Sequence, residues 1–196
     1  MAKKRRKPKM EFRYYQMSAG SPILALLGQK WVQNYGNDVD YLHFHNYLEI
    51  GYCYGGDGHM ILGEEEERFY GGIVTVIPPN GTVSKWEYLF IDVEGFMKKF
   101  LDNPVKAEKV IQRIYSRALF FEEKENLSIS EKIRKIMDIM RDGEEFFLEE
   151  AKGVLAALLV EIARLNRDSG EDKVAEDAGK LTNMITRVLD YVSYHY

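Results

Sequence analysis

Between residues 31 and 93 the chain alternates short runs of β-branched, aromatic and aliphatic residues with breaks rich in glycine, proline and asparagine. The runs are 31–35, 41–54, 59–62, 68–70, 73–77 and 85–93. Gly36-Asn37-Asp38, Gly55-Gly56-Asp57-Gly58, Gly63, Gly71-Gly72 and Pro78-Pro79-Asn80-Gly81 separate them. Short strands at such close spacing predict a sandwich or small barrel.

From residue 96 the period becomes helical. Asn103 before Pro104 is an N-cap with proline at the first helical position, and Val110, Ile111 and Ile114 line one face. Ser128 and Glu131 have capping-box spacing ahead of Ile129, Ile133, Ile136, Met137 and Met140, and Gly143 breaks that helix. A longer helix is predicted over 144–167. Its Leu148, Ala151, Leu155, Leu158, Ile162 and Leu165 recur at alternating spacings of three and four, the pattern of a helix-pairing seam. The seam is either intradomain core or a dimer face; as a dimer face, Leu148, Leu155, Leu158 and Ile162 carry the contact. Residues 168–178 are charged and read as a linker. Ile185, Val188, Leu189 and Val192 define a last helix over 179–196. Tyr191, Tyr194 and Tyr196 crowd its end without a glycine stop, so the chain is expected to continue in a longer protein.

Composition narrows the class. The 196 residues suit one sizeable domain or two small ones, and 45% hydrophobic residues suffice for a core. A charged fraction of 30% and a mean hydropathy of -0.36 argue against a membrane protein. The aliphatic run 23–27 is far too short to span a bilayer. The single cysteine, Cys53, excludes a disulfide framework and a four-cysteine zinc site, which points to a reducing, cytoplasmic setting. Lys3, Lys4, Arg5, Arg6, Lys7 and Lys9 make residues 1–30 open on a basic arm, read as a solvated tail. Residues 11–196 hold 21 basic and 31 acidic side chains, a net of 21 − 31 = −10. A body of that sign is repelled by phosphate, so it is not expected to bind nucleic acid by itself.

The densest chemistry lies in 41–49. A two-residue period puts His43, His45 and Glu49 on one strand face together with Tyr41 and Tyr47. Two imidazoles and a carboxylate form a facial ligand set for zinc, iron or nickel; equally, they serve as hydrogen-bonded lining for a small polar ligand. Trp86, Tyr88 and Phe90 alternate along one strand face, as core or as ligand platform. Cys53 shares the histidines' parity but reads as packing, His59 as an ordinary strand residue, and 64–67 as a hairpin tip in water.

Gly36, His43, His45, Glu49 and Gly56 resemble the first motif of the cupin barrel, with a leading spacer one residue longer than usual. Gly72 to Pro78 matches the start of the second motif, but the histidine that should follow has no counterpart before Lys85-Trp86. Three phrases are similar to the sensor domain of AraC-type bacterial transcription regulators: His-x-His-x-x-x-Glu-Ile, Tyr-x-x-x-Gly-x-Gly and Gly-Gly-x-x-x-x-Ile-Pro-Pro. The strand from Trp86 to Asp92 and the helical tail add to the likeness, and 188–196 is similar to the helix that opens that family's DNA-binding domain. The resemblance covers 36–93 strongly and 96–196 in outline.

It implies a mostly β then α chain: a cupin-like double-stranded β-barrel over 31–93, then a helical dimerisation segment over 96–167. The barrel would bind a small polar effector, with a sugar among the candidates, through His43, His45, Tyr47, Glu49 and Trp86. The protein would be a homodimer and no enzyme, reaching DNA only through a domain beyond Tyr196. No cofactor is required, although His43, His45 and Glu49 admit a divalent metal. The alternative is a metal-dependent cupin enzyme, an oxygenase or isomerase, using those same three residues. The missing histidine and the helical tail count against it.

Overall fold

The structure, a computed structural model, describes residues 9–28, 41–62, 65–78 and 86–168. The expected strand at 31–35, the remainder of the 168–178 linker and the 179–196 helix lie outside the described residues, as do residues 1–8 of the basic arm.

The chain runs β1 (Lys9–Arg13), β2 (Ile23–Leu26), β3 (Tyr41–His45), β4 (Leu48–Tyr52), β5 (Asp57–Leu62), β6 (Glu65–Tyr70), β7 (Ile73–Ile77) and β8 (Glu87–Ile91). Then follow α1 (Val93–Phe100), α2 (Pro104–Tyr115), β9 (Leu119–Glu122), α3 (Leu127–Asp142) and α4 (Phe147–Leu165). A five-stranded antiparallel sheet, ordered β2-β8-β4-β7-β9, carries the helices. β1 and β3 pair in parallel, and β5 and β6 form a separate hairpin. The chain is therefore a mixed β and α protein with its strands leading and helices following. Among the described residues the three sheets do not join into a closed barrel, which corrects the expectation of one.

Strand alternation divides the five-stranded sheet into two faces. Leu48 and Ile50 of β4, Val74 and Val76 of β7, and Leu89 and Ile91 of β8 pack with Ile111, Ile133, Met137, Leu155, Leu158 and Ile162 in one core. The opposite face carries a smaller cluster of Cys53, Met60, Phe69, Ile73, Ile77 and Trp86.

Local signals were kept in most places. Asn103 accepts a bond from the Lys106 amide at 3.1 Å with Pro104 beside it, and Gly143 ends α3 at φ 62. The capping box did not form. α3 starts at Leu127, inside the proposed box, so Ser128 sits in its first turn and accepts from Lys132 Nζ at 2.6 Å. β9 was not anticipated: four residues between two helices are too short to show a period, and pairing with β7 creates the strand.

The seam of α4 also needs correction. Leu155, Leu158 and Ile162 are fully buried within the single chain, and Leu148 is half-buried. The first three are intrachain core and present no face to a second copy. The heptad-like spacing arose because α4 is packed along one stripe by α3 and α2, and any helix gripped in that way shows the period.

Candidate functional site

The run expected as one strand over 41–54 breaks at Asn46 and Tyr47 into β3 and β4, which belong to different sheets. Strand parity therefore does not carry from His45 to Glu49. The corner nevertheless brings them together: His45 Nε2 lies 3.4 Å from Glu49 Oε2, with both side chains buried. The Nδ1–H of His45 donates to the Tyr47 carbonyl at 2.7 Å. In a neutral ring that bond leaves Nε2 as the acceptor turned toward Glu49. Burial pushes the Glu49 carboxyl up to about 8, with the Arg13 charge opposing it, so the pair holds a proton at neutral pH.

Glu49 shares its sheet face with two neighbours. It stands opposite Ile77 on β7 and Phe90 on β8; one rung on, Gly51 stands opposite Thr75 and Tyr88. Trp86, just before β8, continues the alternation of Tyr88 and Phe90. A Cβ on Gly51 would lie 2.6 Å from Thr75 Oγ1 and 2.9 Å from Trp86 Cε3, so the indole packs directly on the strand backbone. Phe69 of the β5–β6 hairpin meets Trp86 edge to face, centroids 5.5 Å apart. At the other end Phe90 is held between Tyr15, stacked at 3.8 Å, and His45, edge-on at 5.4 Å. Asn46 fixes Tyr15 by two bonds, accepting from its amide at 2.9 Å and donating to its carbonyl at 3.0 Å.

Three buried polar atoms on this face have no hydrogen-bond partner among the described residues: Glu49 Oε1, Thr75 Oγ1 and Trp86 Nε1. Each such atom costs on the order of 1–3 kcal/mol when left unmade, and together they offer one donor (the indole N–H), one hydroxyl and one carboxyl oxygen.

Of the expected site residues, His45, Glu49 and Trp86 meet this face. Tyr47 contributes its carbonyl, and the side chain of His43 lies outside the described residues. Thr75, Gly51 and Tyr15 were not anticipated, whereas Phe90 was already placed on the strand face of Trp86 and Tyr88. Gly51 carried a usable signal, since a lone glycine inside a strand marks a close approach. Thr75, the one polar position in an otherwise aliphatic strand, carried another.

As a metal site the pair fits in part. Two donors each about 2.0–2.1 Å from a tetrahedral zinc stand about 3.4 Å apart, and a carbonyl holding the far ring nitrogen is the usual outer support of a metal-bound histidine. Among the described residues, however, no group of three or more His, Cys, Asp or Glu side chains converges as a metal site.

No protein-family model matches the chain, and no curated protein matches it. Among the described residues no helix is long and apolar enough to cross a membrane.

Proposed function

We propose that the face bearing Glu49, Thr75 and Trp86 binds a small polar effector, and that the chain is the ligand-sensing part of a cytoplasmic AraC-type transcription regulator. The observation carrying the ligand is the set of three unpartnered buried polar atoms on adjacent strands. A molecule offering an acceptor to the indole N–H and complementary groups to Thr75 and Glu49 would satisfy all three. The regulator class rests on the motif order in the sequence and on the helical layer behind the sheet. DNA would be contacted by a further C-terminal domain. A homodimer would use surface other than the buried seam of α4.

The geometry supports a route from site to helices. Next to Trp86 on β8, Glu87 turns to the opposite side, where it accepts from Arg141 of α3 at 2.8 Å and from the Gly28 amide at 2.5 Å. An effector that reseats Trp86 therefore pulls on a strand tied to α3, the kind of linked displacement that can bias two arrangements.

The test is a thermal-shift screen of small polar metabolites, followed by Trp86 fluorescence in a Trp31→Phe background. A saturable ligand should raise the melting temperature, and Thr75→Val and Trp86→Phe should each weaken it about tenfold. A ligand whose affinity ignores both substitutions, or no ligand in the screen, overturns the proposal.

The 3.4 Å spacing of His45 and Glu49 favours one second reading, a metal-dependent cupin enzyme with His43 as third ligand. Stoichiometric zinc, nickel or iron in purified protein, with oxygen uptake or isomerisation that His45→Ala abolishes, would favour it over the regulator.

A further inference from the structure

A cavity of about 610 Å³ lies away from the site above, between residues 17–22, α1 and α4. Its volume falls within the usual range for small-molecule sites. Met17, Pro22, Phe96 and Phe100 give it an apolar lining. The rings of Phe96 and Phe100 stack nearly parallel, 10° apart with centroids at 5.8 Å, and Phe100 is 50% exposed. A pair of parallel rings with its outer member exposed is a platform for a further flat ring, and the Met17 thioether adds a polarizable partner.

Charge at this cavity runs against the rest of the molecule. Lys99 and Lys152 line it, with Asp92 as the acid. The Asp92 carboxylate is committed to capping α1 through the Gly95 amide at 2.9 Å. Lys99 makes no ion pair among the described residues, and Lys152 has only Glu149 at 3.6 Å. Two ammonium groups over an apolar floor, in a body that is otherwise net acidic, attract an anion.

Gly153 supplies an independent observation. It sits within α4, where glycine costs roughly 1 kcal/mol relative to alanine, yet a Cβ there would meet nothing within 4 Å. The protein's own packing does not require its smallness. Gly153 instead lines the cavity, and the space a side chain would take there is left open.

We propose that this cavity is a second ligand site, which takes an aromatic carboxylate: its ring on Phe96 and Phe100, its carboxylate toward Lys99 and Lys152. The inference is independent of the effector face, because none of the cavity's lining residues belongs to that face.

Calorimetry on the full chain with 1-naphthoate tests it, with 1-naphthalenemethanol as the uncharged counterpart. The carboxylate should bind saturably, one per chain, and about fivefold tighter than the alcohol, with that margin shrinking as salt screens the lysines. Gly153→Trp, which fills that open space, should weaken naphthoate about tenfold. The double change Lys99→Gln and Lys152→Gln should erase the margin over the alcohol, and it decides the matter if Gly153→Trp does not fold. Trp86→Phe should leave binding unchanged. The proposal is overturned if naphthoate fails to saturate by about 1 mM or if acid and alcohol bind alike. It is also overturned if Trp86→Phe abolishes binding while Gly153→Trp does not, or if binding vanishes as rising protein concentration drives self-association over the cavity.

Discussion

The indole of Trp86 lies so close to Gly51 that a Cβ on that glycine would come within 2.9 Å of Cε3. A central strand of the sheet thus gives up a side chain so that a ring from just before the neighbouring strand can pack against its backbone. The same ring turns a buried N–H onto the face that holds Thr75 and Glu49.

Gly51→Ala should therefore destabilise the fold by about 1–3 kcal/mol through overpacking and alter Trp86 emission. Denaturant unfolding in a Trp31→Phe background measures both. Wild-type stability in that variant would mean that the indole does not rest on Gly51.

Glu49 gives a pH dependence. Its folded value of about 8 exceeds the ordinary 4.5 because of burial, so between those values the folded chain holds a proton that the unfolded chain has released. The contribution is whole below about pH 4.5 and is lost as pH rises through about 8. In chelator-treated protein, stability should fall over that window, and Glu49→Gln should flatten the fall. A wild-type profile that rises across the window, with the variant parallel to it, would contradict this.

Leu155→Ala and Leu158→Ala should each cost about 2–5 kcal/mol, as expected for truncating a fully buried leucine. Because both lie inside one chain, the loss should not vary with protein concentration. If light scattering instead showed folded monomers of unchanged melting temperature replacing a dimer, the seam would be intermolecular.

Asn46→Ala removes the two bonds that Asn46 makes to the Tyr15 backbone. A loss of about 1–2 kcal/mol is expected, together with faster proteolytic nicking within 14–20. Unchanged cleavage there would show that Asn46 does not anchor the segment.

Much of the fold was legible in the sequence because it is written locally. Glycine and proline breaks marked β5, β7 and β8, and the Asn103-Pro104 pair and Gly143 set helix ends by backbone chemistry that needs no distant partner. His45, Glu49 and Trp86 stood out because polar and aromatic groups in β-rich runs need a reason to be there. What the sequence left open depended on which surfaces meet. The same spacing from Leu148 to Leu165 describes an inward or an intermolecular stripe, and only burial against α2 and α3 within the chain decides between them. The corner at Asn46 and Tyr47 is invisible to a period of two, yet it separates β3 from β4 and still sets His45 against Glu49. Pairing of strands distant in sequence brings Gly51, Thr75 and Trp86 to one place, because residues 35 apart become neighbours only when long-range hydrogen bonds fix the register.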